Sequence, residues 1–248
     1  MGKMEKNQKK TTQLSTSITQ DLLNEIQRGR FADVKVLPPE KDLAEEFNVS
    51  RNIIRECLTR LEREGWITRK HGIGTLINKP VVSARTRLDL NYELLQTIRM
   101  TGKTARIEGV TYRTERADAE LAEHLQIEEG EEVLRMARMI RANEKPGIFC
   151  IDYVPARLIT RAYTEKDLTQ TVFSFLEKFC GTSVETNLAE VRAMPVTKEV
   201  SEALEVPMTT ALFYLCEVGY DLRSNPVLYS EEYFIDRVIP HLVVRKKI

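Results

Sequence analysis

The stretch Leu37-Pro38-Pro39-Glu40-Lys41-Asp42-Leu43-Ala44, continued by Val49-Ser50-Arg51, Ile54-Arg55, Leu61-Glu62, Gly65-Trp66-Ile67 and Gly72-Ile73-Gly74-Thr75, decides how the first third of this chain folds. The paired prolines break any preceding helix. The second suits the first turn of the next one, where its missing N–H is not needed. Glu40 to Phe47 then places Leu43, Ala44 and Phe47 on one helical face. Asn48-Val49-Ser50 turns the chain, and Ser50 is an N-cap, its hydroxyl accepting from a first-turn N–H. The helix it opens runs from Arg51 to Glu64, with Ile54, Leu58 and Leu61 as the buried stripe and Gly65 as its stop. Trp66-Ile67-Thr68 and Thr75-Leu76-Ile77 flank the Gly72-Ile73-Gly74 tip and read as a hairpin.

Toward the N-terminus, Leu14, Ile18, Leu22 and Ile26 form one more helical stripe ending at Gly29. Three helices and a hairpin outline a winged helix-turn-helix. Met1 to Lys10 is polar and Lys-rich; it is expected to be a disordered tail and no secretory signal. Beyond Lys79-Pro80, Val81 to Asp89 reads as a linker and Asn91 to Met100 as a helix. Ala117 to Leu125, Leu168 to Phe179 and Lys198 to Leu204 are also helical. Between them lie β-rich runs at Glu132 to Arg141, Ile148 to Val154, Ala211 to Asp221 and Val227 to Ile235. Turn residues at Asn143 to Gly147 and Arg223 to Pro226 join these runs into two hairpins. The expectation is an α+β chain: a DNA-binding domain over 1–80, a linker over 81–90, and a second domain with an antiparallel sheet over 91–248.

Composition narrows the function. Hydrophobic residues are 42% of the 248, enough for a core, which excludes a disordered chain. No apolar run approaches the ~18 residues of a membrane span, so no membrane partner is expected. Cys57, Cys150, Cys180 and Cys216 lie far apart, without CxxC or a neighbouring His in ligand spacing. Reduced thiols in a cytoplasmic protein fit that pattern, with no metal site and no cofactor. Net charge is zero, but up to Pro80 there are 15 Lys+Arg against 11 Asp+Glu, and beyond it 22 against 26. A basic first third suggests a polyanion-binding module joined to something else.

The motifs from Leu14 to Ile77 resemble the winged helix-turn-helix of GntR-family transcription regulators. The resemblance implies DNA contacts at Lys41, Ser50, Arg51, Asn52, Ile53, Arg55, His71 and Gly72. Arg51 and Arg55 stand one turn apart, so both reach the same major groove, where arginine takes two hydrogen bonds from guanine. Lys41 is suited to a phosphate, and His71 with Gly72 to the adjacent minor groove. Two positions depart from the family pattern: Lys41 stands where many members have Arg, and Ile53 where many have Thr. Arg60, Arg63, Arg69 and Lys70 read as a general phosphate-attracting surface.

From Asn91 to Val244 the chain resembles the UTRA effector domain, which makes it similar to HutC-subfamily regulators. The carriers are Leu125-Gln126-Ile127…Gly130, Val133…Arg138, Pro146…Tyr153-Val154-Pro155, Leu168…Thr171-Val172-Phe173…Leu176…Gly181 and Pro226-Val227-Leu228-Tyr229-Ser230…Asp236-Arg237. The resemblance implies a chorismate-lyase-like antiparallel sheet holding a small-molecule effector, with Arg138, Ile140, Cys150, Thr171, Leu228, Tyr229 and Phe234 at the site. Sugar-phosphate-binding members carry polar groups where this chain has Ile140, Cys150, Leu228 and Phe234. A dianionic phosphate needs converging donors, so the expected effector is a less polar molecule or a monoanion anchored by Arg138. Strand alternation puts Arg135 and Arg141 on the opposite face from Arg138.

These readings describe a homodimeric, ligand-responsive repressor that binds a palindromic double-stranded operator. Two rivals are a lyase-like enzyme, using Arg138 with Glu231 or Glu232, and a ligand-free architectural DNA-binding protein. No Gly-rich phosphate loop, GxSxG or HExxH supports catalysis.

Overall fold

The computed structural model describes residues 2–84, 86–235 and 238–246, with side chains from Leu14 onward. Asp236 and Arg237, among the carriers of the UTRA resemblance, lie outside the described residues, as does Arg85 of the expected linker. The chain divides into two units, Met1–Arg87 with Leu242–Ile248, and Leu88–His241. The C-terminal segment therefore clusters with the first unit, whereas the boundaries drawn from sequence put it in the second domain.

In the first unit, α1 (Gly2–Gln27) includes the stretch expected to be a disordered tail. No proline or further glycine interrupts it, and Lys, Glu, Gln and Met are good helix formers. Its inward stripe is Ile18, Leu22, Leu23 and Ile26, while Leu14 is 43% exposed. Helix α2 (Glu40–Glu46) follows the two prolines and buries Leu43 and Ala44. Helix α3 (Arg51–Arg63) buries Ile54, Cys57, Leu58 and Leu61. Strands β1 (Ile67–Lys70) and β2 (Gly74–Ile77) pair antiparallel from Ile67↔Ile77 to Lys70↔Gly74. Val36 adds a bridge to Leu76. Trp66, fully buried, joins the hairpin to the helices; its indole donates to Glu64 Oε2 at 2.9 Å and Arg87 lies over its ring. Helix α4 (Lys79–Ser83) occupies the start of the expected linker. The returning segment bridges Leu242 to Arg87, and Lys246 Nζ donates to the Arg63 carbonyl at 3.0 Å, capping the end of α3.

The second unit runs α5 (Leu94–Met100), β3 (Ala105–Arg116), α6 (Ala119–Leu125), β4 (Glu132–Ala142), β5 (Lys145–Pro155), α7 (Val172–Phe175), β6 (Thr186–Met194), α8 (Lys198–Leu204), β7 (Leu212–Tyr220) and β8 (Pro226–Ile235). A single π-type turn, Leu176–Cys180, extends α7. The six strands form one antiparallel sheet in the order β3-β4-β5-β8-β7-β6. The four central strands coincide with the four β-rich runs. Both edge strands, β3 and β6, are additions to what the sequence suggested.

Side-chain alternation gives this sheet two differently furnished faces. Val133, Ala137, Met139, Phe149, Ile151, Tyr214, Cys216, Val218, Tyr229 and Tyr233 form one core with Leu121, Leu125, Val200 and Leu204 from α6 and α8. The other face carries two separate clusters. One gathers Ile140, Ile148, Cys150, Leu215 and Phe234 around Ile98 of α5; the other gathers Leu134, Met136, Val154 and Leu228 around Phe175 and Leu176. Burying each such side chain contributes about 1.5–3 kcal/mol before conformational entropy is subtracted. Between the two clusters runs a polar band.

Candidate nucleic-acid interface and ligand site

The exposed face of α3 is built by its cap. Ser50 Oγ accepts from the Ile53 N–H at 3.4 Å, starting the helix so that Arg51, Asn52 and Arg55 face outward while Ile54, Leu58 and Leu61 face the core. Ile53 is half-buried at the border. Arg55 is held by Glu40, its Nη2 3.0 Å from Oε2, so the first residue of α2 orients the guanidinium. Lys41 is exposed beside Glu45 at 3.8 Å, a weak surface pair. Lys41, Glu45, Asn48, Val49, Ser50 and Arg51, with Ala44 at the back, line a hollow of about 430 Å³ at the turn between the two helices. The N-terminus of α3 opens there, and its free N–H groups favour an anion.

His71 and Gly72 stand at the hairpin tip, both exposed. Gly72 has φ +77°, and a Cβ there would meet nothing within 4 Å. Its need for glycine is thus conformational, and the tip projects free of its own domain. Of the residues read as a general basic surface, Arg69 is otherwise employed. Its Nε donates to Glu62 at 2.7 Å and its Nη2 to Thr59 at 3.1 Å, tying the hairpin to α3. That pairing holds the Glu62 carboxyl below its ordinary range, against the opposing effect of burial.

In the second unit, Arg138, Ile140, Cys150, Leu228 and Phe234 share one face of the sheet, and all are buried. Thr171 caps α7, accepting from the Ser174 N–H at 3.3 Å and donating to Glu93 Oε1 at 2.7 Å. The segment carrying it adjoins Arg138, whose Nη1 donates to the Gln170 carbonyl at 2.6 Å. Six of the seven expected positions are brought to this side. Tyr229 is the exception and must be corrected: one residue beyond Leu228, it points to the α6 face and stacks on His124 with ring centroids 4.5 Å apart. The period of two in a strand decides this.

Arg138 needs a second correction. Its expected role as anchor for an anion is pre-empted, because its guanidinium is paired with Asp152 across the strands, both side chains only 4% exposed. Asp152 also accepts from Ser230 Oγ at 2.7 Å. Asp152 is thus the internal counter-ion of Arg138. Arg135 and Arg141 lie on the other face, with Glu199 at 2.6 Å and with Glu108 at 2.8 Å respectively. Glu231 is on that face too, accepting from Tyr214 Oη at 2.8 Å, which separates it from Arg138 and removes one of the two acid–base pairs a lyase would use. Cys150 is buried, and burial pushes its thiol well up from its ordinary range, which disfavours the reactive thiolate.

Sequence reasoning missed the polar band itself. Asp152, Ser230 and Glu217 are consecutive cross-strand partners, with Glu232 in the next row beside Cys150. Asn187 Nδ2 donates to Glu217. One signal was legible: Asp152 interrupts the apolar run Ile148-Phe149-Cys150-Ile151, and a carboxylate inside such a strand demands a partner.

Residues 14–77 match the family model described as bacterial regulatory proteins, gntR family, and residues 100–237 match the UTRA domain. The HTH-type transcriptional regulator GgaR of Escherichia coli is 24% identical over 221 residues, 88% of this chain and 86% of that protein. An Escherichia coli protein named "Probable fructoselysine utilization operon transcriptional repressor" is 24% identical over 221 residues, 88% of each chain. A crystal structure described as a possible transcriptional regulator, YydK, from Bacillus subtilis superposes with TM-score 0.76 at 17% identity, covering 94% of this chain and 99% of that one.

Proposed function

The chain belongs to the GntR family of bacterial regulatory proteins and carries a UTRA domain, and on that premise we propose that it is a homodimeric repressor whose hold on a palindromic operator is released by a small molecule. The DNA contacts we assign are Lys41, Ser50, Arg51, Asn52, Ile53, Arg55, His71 and Gly72. The observation that carries this assignment is the outward face of α3, where Arg51, Asn52 and Arg55 stand exposed beside the hollow at the helix N-terminus. Arg51 and Arg55 read base edges, Lys41 and the N–H groups behind Ser50 take phosphates, and the Gly72 tip follows the minor groove. Repression, rather than activation, is favoured by the name of one relative, a transcriptional repressor.

Pairing of two chains is assigned to the edge strand β6. Leu188 and Val191 are 68% and 52% exposed there, and its outer main-chain groups are available to a second copy across a two-fold axis. The effector is read as less charged than a phosphosugar, because Ile140, Cys150, Leu228 and Phe234 line the sheet where phosphate-binding members have polar groups. A ligand that favours the operator-free state over the operator-bound one by about 1.4 kcal/mol lowers operator affinity tenfold. The test is to incubate the purified chain with fragments of its source genome at near-physiological salt and sequence what it retains. A few palindromic sites are expected. Uniform retention of all fragments, with or without added cell extract, would refute the reading.

A further inference from the structure

The polar band on the α5 side of the sheet carries more carboxyls than its one guanidinium balances. Arg138 is consumed by Asp152. Glu217 and Glu232 then follow in adjacent cross-strand rows, both half-buried, and Glu93 stands at the Thr171 edge. Glu217 accepts from the Asn187 amide. The Glu232 carboxyl has no hydrogen-bond partner among the described residues, although its main chain pairs in the sheet. Burial and the neighbouring carboxylates push both acids up from their ordinary range, with Arg138 opposing this only in part at Glu232.

Among the described residues, two buried atoms in the band also lack partners. Asn187 Oδ1 is an acceptor without a donor, and Nε of Arg138 is a donor without an acceptor, in a residue only 3% exposed. Buried groups left unpaired cost free energy that a complementary ligand recovers. The complement is a positively charged N–H donor for Glu232, Glu217 and Asn187 Oδ1, bearing a neutral acceptor such as a hydroxyl or a second amine for Arg138 Nε. Apolar clusters on either side, around Ile140 and Phe234 and around Leu134 and Leu228, suit a short carbon skeleton.

We propose that the effector is a small protonated amine held between Glu232 and Glu217, and not an anion. The ammonium takes the place of the missing counter-cation, in the manner of any charged group that must be paired when desolvated. This rests on reading the second unit as an effector-binding domain, and it specifies the charge of what that domain takes.

The experiment uses the full chain on an operator fragment recovered from the genomic selection. Putrescine, agmatine and glucosamine are titrated beside the neutral 1,4-butanediol and glucose and the anionic gluconate and glucosamine 6-phosphate. Binding is read by calorimetry and operator release by fluorescence anisotropy. At least one amine is expected to bind tenfold or more tighter than its neutral counterpart and to release the operator. Glu232→Gln is expected to cost that amine at least tenfold in affinity, with its thermal melt recorded to establish that the variant is folded. Tighter binding of an anion, no binding by any of the three amines, or an unchanged affinity in folded Glu232→Gln would each overturn the proposal. If small molecules from a cell extract still release the operator when the amines do not, the effector reading survives and the amine does not. If extract has no effect either, both fall.

Discussion

The two units treat charge in opposite ways. In the winged unit Lys41, Arg51 and Arg55 stand in solvent, held at most by surface carboxylates such as Glu40 and Glu45. Such charges cost little to keep and are available to a polyanion. In the sheet unit Arg135 and Arg138 are 4% and 3% exposed, and each is already paired, Arg138 with the buried Asp152 and Arg135 with the exposed Glu199. A buried guanidinium is committed before any ligand arrives. An arginine matched to a binding motif therefore means different things in the two units: a contact waiting for a partner in the first, half of an internal pair in the second.

That contrast is open to measurement. The largest effect belongs to Asp152→Ala, which strands Arg138 in the sheet; it is expected to cost about 3–5 kcal/mol of unfolding free energy by denaturant titration. A loss under 1 kcal/mol would mean that Arg138 is not committed internally. The exposed counterpart is Arg51→Ala with Arg55→Ala. Melting should be unchanged, while discrimination between operator and random DNA falls by about 1–3 kcal/mol for each bidentate contact removed; retained discrimination would displace the reading from α3.

Glu232→Gln tests the charge surplus in the opposite direction. A carboxyl whose pKa is raised on folding penalises the native state above the unfolded value near 4.5, increasingly as pH rises through the native value. The variant should melt higher than the parent at pH 7, by about 2–4 °C for each kcal/mol recovered, and the gap should close as pH falls toward 4. A lower melt at pH 7 would show that Glu232 is satisfied after all. The smallest effect is Tyr229→Phe. Because Tyr229 lies against His124 on the α6 side, effector response should not change and stability should stay within about 1 kcal/mol. A loss of response would return Tyr229 to the site.

Legibility followed the range of the interactions involved. Proline punctuation, the Ser50 cap and the Ile54-Leu58-Leu61 stripe are local features, and α2, α3 and the hairpin stand within a residue or two of where they were expected. The four central strands were legible because burial makes them nearly continuous apolar runs. The edge strands were not. Ala-Arg-Ile-Glu-Gly-Val-Thr-Tyr-Arg-Thr-Glu-Arg of β3 and Thr-Asn-Leu-Ala-Glu-Val-Arg-Ala-Met of β6 have solvent on much of both faces, which erases the alternation. The N-terminal stretch failed for another reason: its polarity suggested disorder, though its residues favour a helix.

By itself, then, the sequence determined the winged helix-turn-helix, the α+β character of the second unit and the apolar character of Ile140, Cys150, Leu228 and Phe234, because each is written in spacing or side-chain type along a short stretch. The tertiary structure decided what faces what. Asp152 meets Arg138 across 14 residues of chain and Ser230 across 78, and Tyr229 leaves the site by a single step of the pleat. Those outcomes depend on strand register, which is set by the packing of the whole sheet and which no local pattern encodes.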